Sequence, residues 1–73
     1  MNADDIGTAL LNGRKELGLR QAELADLAGV SERFIRDAEK GKTTLRLDKV
    51  IDVLSVLGLE LNVVIHNPLQ AKP

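Results

Sequence analysis

Arg33, Arg36 and Lys40 recur at helical spacing along one short stretch, interleaved with Glu32 and Asp37. At about 100° per residue these five form one polar stripe, with Phe34, Ile35 and Ala38 on the opposite side. A guanidinium is a planar fork of donors that matches paired acceptors on a phosphate or a base edge. Arg33 and Arg36 can each give two hydrogen bonds to guanine O6 and N7, worth about 1–3 kcal/mol of discrimination per pair. Glu32 has two readings: it accepts from cytosine N4, or it stabilises the first turn of its own helix through the helix dipole.

A reading face of this kind is useful only if other elements fix its angle. The stretch from Gln21 to Lys42 supplies them: apolar residues at Leu24, Ala25 and Ala28, then Gly29-Val30, then Ile35 and Ala38. Two short helices meeting at a tight corner bury this set. Gly29 tolerates the positive φ that such a corner requires, and Ser31 stands at the N-cap of the second helix. This is the helix-turn-helix layout.

The rest of the chain reads as support. A first helix spans residues 2–17, with Ile6, Leu10 and Leu17 on one stripe and Gly18 as its stop. Arg14 lies roughly 40° from Leu10 around that helix, so it is nearer the core than a solvated arginine. Gly7 and Gly13 each weaken the helix by roughly 1 kcal/mol, which makes it dependent on packing. Arg20 occupies the N-cap of the second helix, residues 21–28, and cannot accept a backbone N–H. It is either a weak cap or a phosphate contact. The third helix covers residues 32–40, with Glu39 beside Ile35 at the core edge and Gly41 as its stop. The polar loop Lys42-Thr43-Thr44 leads to a fourth helix over residues 47–57, where Leu47, Val50, Ile51, Leu54 and Leu57 make an i, i+3, i+4, i+7 stripe.

Residues 59–66 are β-branched and partly alternating, which predicts a strand. A lone strand is unstable and no other segment can pair with it. The economical partner is the same strand of a second copy, with Leu59, Leu61, Val63 and Ile65 as dimerisation residues. The other reading is an extended segment packed on its own bundle. The expected organisation is a domain over residues 1–58, a dimerisation strand over 59–66 and a flexible tail over 67–73.

Composition narrows the function. A chain of 73 residues forms one domain with a marginal core, for which association is a common remedy. It has no cysteine and one histidine, His66, so neither a thiolate nor a histidine metal site is expected, nor any cofactor. No Ser/His/Asp set or paired-carboxylate set separates from the helical charge pattern, which argues against an enzyme. No apolar run approaches the ~20 residues of a membrane span, and no signal region opens the chain, so a cytoplasmic protein is expected. One aromatic, Phe34, excludes the stacking platforms of single-strand binders. A formal net charge of −1 argues against indiscriminate nucleic-acid binding.

These residues resemble the Cro/C1-type helix-turn-helix family. Its markers here are Arg14, Leu19, Gln21, Glu23-Leu24-Ala25, Gly29-Val30-Ser31, Ile35, Glu39 and Gly41-Lys42. A narrower resemblance, resting on length, the run of residues 30–42 and the terminal strand, is to short HipB-type antitoxins. The resemblance implies an all-α, lambda-repressor-like domain of four to five helices, with a C-terminal strand forming an intermolecular ribbon. It implies a repressor on a palindromic double-stranded operator, partnered by a HipA-type kinase toxin; a stand-alone phage- or plasmid-type repressor is the alternative. By the same resemblance Gln21 contacts a phosphate, Ser31, Glu32, Arg33 and Arg36 face base edges, and Arg14 pairs with Glu39. Lys40, Lys42 and Thr44 are further phosphate candidates, and Asp37 lies among them on the DNA-facing stripe.

Overall fold

The structure, a computed structural model, describes residues 1–65. Four helices follow one another: α1 (Ala3–Glu16), α2 (Gln21–Ala28), α3 (Glu32–Glu39) and α4 (Leu47–Val56). No strand is present among the described residues. The predicted α2 matches the observed one, and the other three boundaries move by a residue or two. Asn2 proves to be the cap of α1 rather than its first turn. Its side chain accepts from the Asp5 N–H at 2.9 Å, and the Asp5 carboxylate accepts from the Asn2 N–H at 3.0 Å, a reciprocal capping box.

Leu10, Leu24, Ile35 and Val53 are fully buried at the centre, ringed by Ala25, Ala38, Val50, Leu54 and Leu57. Each helix contributes at least one of these residues, so no pair of helices is stable without the others. At the corner between α2 and α3, Gly29 is left-handed at φ 70°. The Val30 N–H donates to the Ala25 carbonyl at 3.0 Å, closing the end of α2. Ser31 then starts α3, its hydroxyl oxygen accepting from the Phe34 N–H at 3.0 Å. Arg20 makes no side-chain cap, as its chemistry dictates. Glu23 supplies the other half of the motif by accepting the Arg20 backbone N–H at 2.8 Å.

Two stripes differ from expectation. Leu17 is 55% exposed, because α1 ends before it and the chain turns away at Gly18. On α4, Leu47 and Ile51 face solvent while Val53 is fully buried. That helix is apolar on several sides, so periodicity alone could not choose which side meets α2. Val50, Leu54 and Leu57 belong to both candidate stripes and are buried as predicted.

Gly7 has a role that helix propensity does not reveal. A Cβ there would lie 2.6 Å from the Ala38 carbonyl oxygen and 2.9 Å from that of Glu39. The missing side chain lets α1 press directly on the C-terminal turn of α3. Around Gly13, by contrast, the nearest atoms are the Leu57 and Leu59 methyls at 3.4 Å. The two glycines should therefore respond oppositely to alanine. Gly13→Ala should gain up to about 1 kcal/mol from helix propensity. Gly7→Ala should lose stability despite the same gain, since overpacking against backbone costs about 1–3 kcal/mol. Urea unfolding of both variants measures the difference, and equal responses would refute the packing role of Gly7.

Candidate nucleic-acid interface

The angle of α3 is fixed from underneath by one ion pair. Arg14 Nε donates to Glu39 Oε2 at 2.6 Å and Arg14 Nη2 to Glu39 Oε1 at 3.0 Å, a two-point contact between α1 and the last residue of α3. The two side chains are only 13% and 5% exposed. Arg14 Nη1 donates to the Leu19 carbonyl at 2.9 Å, which ties in the connection before α2. Gln21, the first residue of α2, completes the set: its Nε2 donates to Glu39 Oε1 at 3.0 Å. Three helices thus meet at a single carboxylate, and the connecting loop joins them through Arg14.

Burial pushes the Glu39 carboxyl up. Hydrogen bonds from Arg14 and Gln21, with the charges of Arg14 and Lys15, outweigh that and hold it below its ordinary value of 4.5. Hydrogen bonding to Glu39 leads the causes that keep the Arg14 guanidinium above its usual range. No buried side-chain nitrogen or oxygen among the described residues lacks a partner. The pair is the arrangement that the family resemblance implied. The part of Gln21 was missed, because a residue at the start of one helix carries no sequence signal linking it to the end of another. Its engagement does not remove it from the surface: the amide keeps a second N–H and a carbonyl oxygen for an external partner.

On the outer side of α3, Glu32, Arg33, Arg36 and Lys40 are exposed, as is Ser31 at its start. Phe34 is half-buried on the inner side, with Lys49 of α4 above its ring at 5.9 Å from the centroid. That cation–π contact braces α3 against α4 and was not foreseen either. Asp37 is half-buried and lies 3.8 Å from Arg33 Nε and 3.7 Å from Lys42 Nζ. Lys42 and Thr44 are exposed in the loop that follows. All nine residues expected to face DNA therefore lie on α3, at the start of α2, or in the loop beyond α3.

Over residues 32–40 the three cations and three carboxylates cancel. With Glu39 neutralised by Arg14, one net positive charge is left on the outer face. A bundle that buries one short helix end on an ion pair, and exposes two arginines with a helix start beside them, has the form of a DNA-binding helix-turn-helix domain.

Comparison with known proteins agrees. A helix-turn-helix family model matches residues 10–64, and the chain belongs to that family of DNA-binding transcriptional regulators. It is 49% identical over 59 residues to the uncharacterised HTH-type transcriptional regulator y4mF of Sinorhizobium fredii, covering 81% of this chain and 78% of that one. It is 36% identical over 63 residues to an uncharacterised HTH-type transcriptional regulator of Haemophilus influenzae, covering 86% of this chain but only 61% of that protein. Among solved structures, a toxin–antitoxin module from Streptococcus pneumoniae superposes with a TM-score of 0.70 at 38% identity, over 85% of this chain and 73% of the other. The clp gene regulator ClgR of Corynebacterium glutamicum superposes with a TM-score of 0.71 at 26% identity, over 80% and 62%. No described helix is long and apolar enough to cross a membrane.

Removing one partner of the pair should be costly, because the other charge is left buried without compensation. Glu39→Ala or Arg14→Ala should lose about 3–5 kcal/mol. The depressed Glu39 carboxyl contributes stability that is present above its ordinary value of 4.5 and lost as pH falls through its lower folded value. Wild type should therefore lose stability more steeply than Glu39→Gln as pH falls from 4.5 through that lower folded value. Thermal melts of both proteins across that window check it; parallel pH profiles would remove Glu39 as the source.

Proposed function

We propose that the protein is a homodimeric, sequence-specific repressor of double-stranded DNA, acting as the antitoxin of a toxin–antitoxin operon and repressing its own promoter. The observation that carries the DNA-binding part is the exposed arginine face of α3, set at a fixed angle by the Arg14–Glu39 pair. In this reading α3 enters the major groove. Arg33 and Arg36 take base edges, with Ser31 and Glu32 beside them, while Gln21, Lys40, Lys42 and Thr44 hold phosphates.

A face with one net positive charge gives one protomer little affinity. Two copies on half-sites about 34 Å apart overcome this, which makes the operator palindromic. The copies join through residues 59–65, with Leu59, Leu61, Val63 and Ile65 in a two-stranded ribbon. Support comes from exposure: Val63, Val64 and Ile65 are at least 75% exposed, and no strand of the described chain pairs with them. Apolar side chains displayed in series favour a partner surface over water. The remainder of the expected strand, His66, and the tail lie outside the described residues.

The antitoxin role rests on the likeness to the pneumococcal module and on the resemblance to HipB-type proteins, whose partner is a HipA-type kinase. The site of action is the cytoplasm, and no catalytic step is assigned. A second reading, a stand-alone regulator without a toxin, draws on the likeness to ClgR.

Gel shift with the region upstream of the protein's own gene tests the reading. Retardation should occur at protein levels that leave unrelated DNA free, with two protomers per site. Arg36→Ala should lose about 1–3 kcal/mol of discrimination at one base-pair position per half-site. The slope of log K against log salt should be shallower than about −10, the value of a strongly basic binding surface. Equal affinity for own and unrelated DNA would refute specific repression. Affinity capture of a kinase-type protein encoded beside the gene separates the antitoxin from the stand-alone regulator.

A further inference from the structure

Asp37 is the one carboxylate on the outer side of α3 within 4 Å of a cation of the reading surface, and the same oxygen, Oδ2, approaches two of them. Neither approach, at 3.8 Å to Arg33 Nε and 3.7 Å to Lys42 Nζ, is short enough to be a hydrogen bond. They are loose electrostatic restraints. Lys42 is nevertheless held close by the backbone, since its N–H donates to the Asp37 carbonyl at 3.1 Å. Asp37 is the most sheltered of the three side chains, at 29% exposed against 82% for Arg33 and 47% for Lys42. The carboxylate is thus the least solvated of the three groups, and the two cations extend further into solvent. Arg36 and Lys40 have no carboxylate within 4 Å among the described residues.

We propose that Asp37 is a specificity-determining residue that reads no base itself: it competes with DNA for Arg33 and Lys42, and releases them fully only at a matched site. This rests on the DNA-binding reading above. The four cations divide into two classes. Arg36 and Lys40 are free to capture any phosphate backbone. Arg33 and Lys42 must exchange an anion they already have for one on the DNA. A lone phosphate near Arg33 replaces one anion with another, and the exchange is close to neutral. A guanine edge offers Arg33 two parallel hydrogen bonds that Asp37, at 3.8 Å, does not make. Asp37 therefore penalises unmatched DNA more than matched DNA, and discrimination is a difference between those affinities. The acidic residue explains why a DNA-facing helix carries a charge that weakens its overall attraction.

The test uses the full chain and two labelled probes: a random-sequence duplex, and a duplex selected by the wild-type protein from a random pool. Asp37→Asn keeps the shape and removes the charge. It should bind the random duplex about three- to tenfold more tightly at moderate salt, the range that one or two exposed charge contacts supply. Its salt slope on that duplex should steepen by about one per protomer. Affinity for the selected duplex should change less than about twofold, so the ratio between the probes falls. Asp37→Glu, which retains the charge, should keep a ratio near wild type. In a Lys42→Met background the effect of Asp37→Asn on random DNA should shrink, because one of the restrained cations is gone.

Equal tightening on both probes would overturn the proposal, since Asp37 would then be a general negative charge. Loss of binding to the selected duplex alone would also overturn it, by making Asp37 a base-reading residue. A wild-type protein that selects no duplex at all overturns the DNA-binding reading and the proposal together.

Discussion

The Arg14–Glu39 ion pair is the constraint on which the placement of α3 depends. An eight-residue helix such as α3 is too short to persist alone in water, and its outer face is occupied by charges. Its apolar anchors, Ile35 and Ala38, lie along one line, and a line of contacts fixes a helix's position better than its rotation or tilt. Glu39 adds a directional contact at the C-terminal end, accepting from Arg14 at two oxygens and from Gln21 at one of them. Gly7 acts in the same place by letting α1 meet the carbonyls of Ala38 and Glu39. At the other end of α3, the Ser31 cap and the Gly29 corner fix its start. Rotation and tilt are what a base-reading helix needs held, because a guanine edge accepts two hydrogen bonds only in one plane.

The cost of this arrangement is a buried charge, and burial by itself disfavours it. Three donors reach Glu39 and the partner guanidinium has a third acceptor in the Leu19 carbonyl. Desolvation is thereby answered by hydrogen bonding rather than by Coulomb attraction alone. A hydrophobic pair of similar volume could supply comparable stability, but apolar contacts are non-directional and would leave the rotation of α3 less defined. The ion pair is better understood as fixing geometry than as adding net stability.

Most of this could be read from residue order, for identifiable reasons. The α2–corner–α3 unit combines a glycine, a capping serine and two helical apolar patterns within 22 residues, and each of these is a local signal. Helical angle alone puts Arg14 and Glu39 at the core edge. The misreadings share another cause: they concern which side of an element meets another. α4 carries apolar residues around much of its circumference, so periodicity puts Leu47 and Ile51 in the core and not Val53, whereas Val53 is the one fully buried. Gly7, Gln21 and Lys49 make their contacts across 18 residues or more of separation or along a helix–helix seam. Their residue types carry no mark of it. A glycine in a helix looks like a weakness until the carbonyls opposite it are seen.

The charge pattern links fixed geometry to recognition. Repressors that rely on a broadly basic surface gain affinity from every phosphate they meet, and gain it on unmatched DNA as well. Here the formal net charge is −1 and two of the four cations Arg33, Arg36, Lys40 and Lys42 face the carboxylate of Asp37. In the proposed reading long-range attraction is therefore weak, and affinity comes from short-range contacts that require correct orientation. A surface of this type gains nothing from a loosely held helix. In the proposed reading the Arg14–Glu39 contact and the half-buried Asp37 carboxylate serve one end from opposite sides of α3: the first restricts where the arginines can reach, and the second limits what is worth reaching for.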